Sequence, residues 1–171
     1  MSKRVGHNHA MPVPPSLLDR DGALLVIAAR TGQQLATRRL APMGLTVQLC
    51  GVLNRLAVGP ISQHELGQQL GIDRTTMVEV VDDLEARGVV VRQRNAADRR
   101  AYSIQLTPKG RTVQKRAAKA FDAAADEFFG PLKRTERQAL SDMMRRLIAA
   151  ADEKLGEPSG TAVASSGMII P

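Results

Sequence analysis

Four arginines, Arg92, Arg94, Arg99 and Arg100, fall within the nine residues RQRNAADRR, which also hold Asn95 and Asp98. A guanidinium stays charged and presents a planar fork of donors that fits a phosphate or the edge of a guanine. The chemistry such a cluster performs is recognition of a polyanion rather than bond making. A second set lies upstream, where Arg74, Thr75 and Thr76 follow Asp73, and Glu79 comes one turn later. Hydroxyls bond base edges or phosphates, Arg can grip a guanine with two hydrogen bonds, and a Glu carboxylate can accept from the amino group of cytosine. Catalytic patterns are missing: there is no G-x-S-x-G, no phosphate-binding P-loop, no H-E-x-x-H and no C-x-x-C. Asp82, Asp83 and Glu85 cluster without a nearby His and read as solvated acids. The chain is therefore expected not to be an enzyme and to need no cofactor.

The elements that must position these residues are legible from stops and starts between Ile61 and Thr107. Ser62 and Glu65 have the spacing of a capping box, Leu66 and Leu70 share a helix face, and Gly71 supplies a helix end. Asp73 is an N-cap for a second helix, in which Met77, Val80, Val81 and Leu84 repeat at core spacing. Thr75, Glu79, Asp82 and Asp83 occupy its other face, and Gly88 ends it. Two short helices joined by a tight turn can set the second in a DNA major groove, with its first turn at the base edges. Val89-Val90-Val91 reads as a β-branched strand, and Ala101 to Leu106 as its partner. The arginine cluster then sits at a hairpin tip, where it can enter or straddle a minor groove. The expected DNA contacts are Ser62, Gln63, Arg74, Thr75, Thr76, Glu79, Arg92, Arg94, Asp98, Arg99 and Arg100.

Asp73-Arg74-Thr75-Thr76, Leu84-Glu85-Ala86-Arg87-Gly88, Asp98-Arg99-Arg100 and Leu106-Thr107-Pro108-Lys109-Gly110 together resemble the MarR family of multiple antibiotic resistance regulators. The resemblance extends by helix order from Leu17 to about Leu155, although its motifs lie within 61–110. It implies a homodimeric winged-helix transcription factor, often a repressor, often released from DNA by a small molecule. It also implies that Asp98 pairs with an Arg to hold the wing and that Arg100 contacts DNA. Members often carry Arg where this chain has Glu79 and Asp83, so operator sequence does not transfer from relatives. A solvated or Arg-paired Glu79 stands beside the base-reading alternative.

The fold class expected is mainly α with a small β-hairpin wing: a winged helix-turn-helix with long N- and C-terminal dimerisation helices. Residues 1–16 read as a flexible arm with no signal-peptide character, and 156–171 as a flexible tail. The domain spans 17–155, with a DNA-binding lobe at about 46–107 and dimerisation helices at about 17–40 and 108–155. The first helix is expected from Ser16 to about Leu40, and the last to start from a capping box of Thr135 and Gln138. Its stripe of Leu140, Met143, Met144, Leu147, Ile148, Ala151 and Leu155 must bury on something, the first helix and a second copy being the expected takers. A homodimer suits a palindromic operator.

The 171 residues carry a net charge of +7, which favours an anionic partner, and 43% hydrophobic content, enough for a core. No stretch suits a bilayer, and a cytoplasmic protein is expected. The single Cys, Cys50, excludes an internal disulfide and reads as a small buried hydrophobe rather than a redox sensor. His7 and His9 lack a carboxylate or Cys nearby, so no metal site is expected. Three functions are carried forward: a sequence-specific regulator bound to double-stranded DNA and responsive to a small-molecule effector, a nucleoid-type protein binding DNA through charge alone, and a winged-helix protein-interaction module.

Overall fold

The computed structural model describes residues 15–94 and 102–155. Asp98, Arg99, Arg100, His7 and His9 lie outside the described residues. The first long helix is divided: α1 covers Pro15–Leu18 and α2 covers Asp21–Leu40. Arg20 between them is extended, at φ −118° and ψ 117°, so the continuous helix expected from Ser16 is corrected to a short turn and a helix starting at Asp21. An acid at that first position also favours a helix start there, since a carboxylate complements the helix dipole.

A short 3₁₀ turn at Ala41–Met43 leads to Gly44, whose φ of +65° is left-handed. Helix α3, Val47–Val58, begins at Thr46, whose side chain accepts the Leu49 N–H at 3.1 Å. Leu49, Val52, Leu53 and Leu56 are buried along it and form the centre of the core.

Strand β1, Ile61–Ser62, runs straight into α4, Gln63–Leu70, and α5 follows at Arg74–Ala86. Strands β2, Val90–Arg94, and β3, Tyr102–Leu106, form the hairpin. The sheet has three strands rather than the two expected, in the order β1-β3-β2, all antiparallel. Ile61 pairs with Ile104 and Ser62 with Ser103, while Val90 pairs with Leu106 and Arg92 with Ile104. The extra strand follows from the chain's own economy: Ile61 and Ile104 are both buried, and pairing them satisfies backbone groups that a buried loop would orphan.

Helix α6, Pro108–Phe129, starts from Thr107, whose side chain accepts the Gly110 N–H at 2.9 Å. It packs along α2, where Arg39 meets Glu127 at 2.7 Å. Helix α7, Arg134–Leu155, follows Gly130-Pro131, with Arg137 paired to Asp126 at 2.7 Å and stacked over the Phe129 ring. The expected Thr135–Gln138 cap is corrected. Glu136 instead accepts the Lys133 N–H at 2.7 Å, and Gln138 reaches forward to Asp142. A carboxylate near a helix N-terminus is favoured by the dipole where an amide is not, so Glu136 wins the same three-residue spacing. No described residue of α7 is buried, and Met143, Leu147 and Ile148 are exposed. Among the described residues, no helix is long and apolar enough to cross a membrane.

Candidate nucleic-acid interface

Helix α4 owes its start to a reciprocal cap. Ser62 Oγ accepts the Glu65 N–H at 3.2 Å, and Glu65 Oε2 accepts both the Ser62 N–H at 3.3 Å and the Ser62 hydroxyl at 2.8 Å. Gly71 at φ +61° then turns the chain toward α5. Asp73 caps α5 without that backbone reciprocity, its carboxylate accepting the Thr76 N–H at 3.0 Å and the Thr76 hydroxyl at 2.6 Å. These bonds separate residues that shape the helices from residues left available. The hydroxyl protons of Ser62 and Thr76 are already donated. Arg74, Thr75 and Glu79 are exposed on α5, while Met77, Val80, Val81 and Leu84 are buried behind them.

The hydrogen bonds from the Ser62 hydroxyl and then its N–H hold the Glu65 carboxyl below its ordinary range, and those from Thr76 do the same for Asp73. A carboxyl lowered on folding stabilises the native state above its unfolded pKa and loses that contribution as pH falls through the folded value. Asp73→Ala is therefore expected to lower the melting temperature by a few degrees at pH 7, and its difference from the wild type is expected to shrink as the pH falls toward 2 and the cap takes up its proton. Thermal melts across that range check it. An Asp73→Ala penalty unchanged at pH 2 would remove the electrostatic account of the cap.

The acids of α5 do not read as the sequence suggested. Asp83 is gripped by Arg87, with Arg87 Nε donating to Oδ1 at 2.9 Å and the two charges 2.8 Å apart, while the same guanidinium donates to the Gly44 carbonyl at 2.8 Å. Asp82 and Glu85 both hold Arg92, the former at 2.5 Å. These three acids are corrected from solvated charges to members of ion pairs. The Arg92 backbone N–H also donates to Glu85 Oε1 at 3.1 Å, and its guanidinium donates to Gln63 Oε1 at 3.4 Å. One side chain thus links β2 to α5 and to the first residue of α4. Partial burial works against its charge, and the hydrogen bonds to Asp82 and Glu85 outweigh that, raising its pKa. Two expected DNA contacts, Gln63 and Arg92, are therefore bonded to one another within the chain. Arg94 lies exposed at the end of β2.

Between the starts of α4 and α5 runs an open groove of about 890 Å³. Ser62, Gln63, His64, Gln68, Arg74 and Tyr102 are among its walls. Tyr102, His64 and Gln68 were not singled out from the sequence, because nothing local marks them: β3 delivers Tyr102 to α4 only through the sheet. Val78, 38% exposed on the outer face of α5 between Thr75 and Glu79, was missed as well. An apolar residue breaking the polar face at i+3 from Thr75 is the signal that could have found it.

The root of the wing is fastened to α6. Thr107 donates its hydroxyl to the Gly88 carbonyl at 2.8 Å and its N–H to the Val89 carbonyl at 3.1 Å, and Lys109 Nζ donates to the Arg87 carbonyl at 2.7 Å. The C-terminal end of α5, the start of β2 and the start of α6 form one joint.

With this geometry in hand, the likeness to known proteins is specific. A MarR-family sequence profile matches residues 43–101. A transcriptional regulatory protein assigned to the hcr operon of Thauera aromatica is 34% identical over 124 residues, covering 69% of this chain and 75% of the relative. The chain belongs to the MarR family. This family comprises transcriptional regulators, not enzymes. The repressor CouR, solved on a 23-mer DNA duplex, superposes with a TM-score of 0.71 at 33% identity, covering 78% of this chain and 95% of that one. CouR from Rhodococcus jostii RHA1 bound to p-coumaroyl-CoA gives 0.69 at 29% identity, with 78% and 95% covered.

Cys50 lies inside the lobe, 1% exposed. Burial, and after it the Asp122 charge, push its thiol pKa up against a weak bond from Asn54. A thiolate is the reactive form, so Cys50 of the native MarR-type chain is expected to resist alkylation by iodoacetamide at pH 7.5 and to react once denaturant is added. Intact-mass spectrometry reads both states, and stoichiometric labelling of the folded protein would contradict the assignment as a packing residue.

Proposed function

We propose that this MarR-family regulator acts as a homodimer, binds a palindromic operator with sequence preference, represses from it, and is released by a small organic ligand. The observation that carries the reading is the frame around Arg92, which fixes α4, α5 and the wing as one body with the first turn of α5 exposed. Arg74 and Thr75 then face the major groove, and Arg94 leads toward the wing arginines Arg99 and Arg100, which serve the phosphates and minor groove. Asp98 and Arg100 hold the wing motif positions that the family resemblance assigns.

The dimer reading rests on unpartnered apolar surface at both ends of the chain. Leu24, Leu25 and Val26 on α2 and Met143, Leu147 and Ile148 on α7 are exposed in a single copy. A second copy would cover them and set two α5 helices roughly 34–36 Å apart, the spacing of successive major-groove faces. Repression and ligand release are supported by CouR, named a transcriptional repressor and solved both on DNA and with p-coumaroyl-CoA.

The test is fluorescence anisotropy of the purified full chain with the duplex upstream of its own gene against a scrambled duplex, at two salt concentrations. Preference for the upstream duplex, weakened in Arg74→Ala and Arg100→Ala variants that melt like the wild type, is expected. Equal and steeply salt-dependent binding to both duplexes would favour charge-only association, and no binding to either would favour a protein-interaction module. Size-exclusion chromatography with light scattering reads the dimer.

A further inference from the structure

Helix α5 turns an unusual face outward. Thr75, Val78, Glu79 and Asp82 follow at i, i+3, i+4 and i+7 and share one side, opposite the buried Met77, Val80, Val81 and Leu84. Asp82 is held at Arg92, and the remaining acids Asp83 and Glu85 are held by Arg87 and Arg92. Glu79 is the one acid of α5 that forms no ion pair among the described residues, and it is exposed beside the exposed methyl groups of Val78. The middle of the outward face therefore offers two methyls and one carboxylate, and no cation.

In a major groove that combination has a narrow match. Guanine shows only acceptors, which a carboxylate repels. Adenine shows an amino donor, but beside the N7 acceptor. Cytosine shows its N4 amino group with no acceptor of its own in the groove, and thymine shows a methyl. Successive helix residues diverge by about 100°, which lets neighbouring side chains address neighbouring base pairs about 3.4 Å apart.

Resting on the proposed operator binding, we infer that Val78 and Glu79 are specificity-determining residues that read a thymine methyl and a cytosine amino group in adjacent base pairs of each operator half-site. Val78 makes the apolar contact and Glu79 accepts from N4. The Glu79 carboxylate then acts as a selector against guanine at that position.

In vitro selection of duplexes from a random library by the full chain, followed by anisotropy on the selected duplex, tests this. The selected half-site should show adjoining T and C columns. In Glu79→Gln the cytosine column should become adenine, because Gln pairs with the N6 and N7 of that base. Deoxyuridine in place of the thymine should weaken wild-type binding about fourfold, the worth of one methyl group, and should change Val78→Ala binding by less than about half as much. Both side chains are exposed, and circular dichroism confirms that each variant folds. A selected motif unchanged by Glu79→Gln, or a deoxyuridine penalty equal in Val78→Ala, would overturn the inference while leaving operator binding standing. A library that yields no motif at all would overturn both.

Discussion

Gly110→Ala is expected to cost the fold about 3 kcal/mol or more, beyond the usual range for overpacking. A Cβ at this position would lie 1.9 Å from the Val89 carbonyl oxygen, 3.0 Å from its carbon and 3.3 Å from Leu106 Cδ2. The obstacle is backbone on one side and a buried core side chain on the other, so no rotamer change relieves it. The chain approaches this closely because Val89 O accepts the Thr107 N–H while Thr107 Oγ1 accepts the Gly110 N–H. Admitting the methyl means pulling α6 off the wing root and breaking the joint that both bonds make. In a domain of this size about 3 kcal/mol lowers the melting temperature by roughly 6–12 °C. Gly51→Ala is the control. It is also a helical glycine, nothing lies within 4 Å of its added Cβ, and Ala is the better helix former, so its melting temperature should hold or rise. A Gly110→Ala variant melting within 2 °C of the wild type, at the ~2–4 °C per kcal/mol of such domains, would show that the joint gives more easily than its geometry implies.

That joint also marks where the sequence was readable. The caps at Ser62 and Asp73 were legible because each is a bond between residues three apart, and local spacing is what a sequence displays. The same rule misled at α7, where two overlapping patterns had the right spacing and the carboxylate of Glu136 prevailed over the amide of Gln138. The core stripe of α5 was legible because burial repeats with the helix. What stayed hidden depends on chain reversal. Arg92 reaches back from β2 to Asp82 and Glu85, 10 and 7 positions earlier, so those two acids looked solvated until the fold supplied their partner, whereas Asp83 and Arg87 lie four apart on one helix and their pairing was open to a local reading. Strand β1 was hidden because two residues carry no alternation, and only Ile104 on the far side of the wing makes a strand of Ile61. The family motif placed the wing at the right point in the chain, and it was the pairing of Asp82 and Glu85 that distinguished the arginine at the wing's root from those expected toward its tip.

Arg92→Ala should weaken operator binding by about 30-fold while the protein stays folded, and the reason decides what kind of residue Arg92 is. Its side chain is 26% exposed and its partners Asp82 and Glu85 are 59% and 38% exposed, so solvent screens the pairs and their joint loss is worth about 2 kcal/mol, or roughly 30-fold in affinity if all of it falls on the bound state. Removing Arg92 removes the side-chain link from β2 to α5 and α4 and leaves two carboxylates unpaired beside it. A direct phosphate ligand would give a similar loss, but the two cases differ in salt. Losing one phosphate contact lowers the slope of log affinity against log salt by about one, whereas losing an internal brace leaves the number of released counterions unchanged. Glu85→Gln separates them further. If Glu85 merely restrains a phosphate-binding arginine, neutralising it should tighten DNA binding. If the pair is the frame, the same change weakens binding, and combining it with Arg92→Ala adds little, giving a coupling energy in the range of about 0.5–3 kcal/mol expected for contacting residues. Anisotropy titrations at several salt concentrations on the two single variants and the double variant read all of this. A slope reduced by one in Arg92→Ala together with tighter binding in Glu85→Gln would return Arg92 to the DNA. An unchanged slope, with weaker binding in Glu85→Gln, would fix it as the brace that carries the orientation of α5 into the wing.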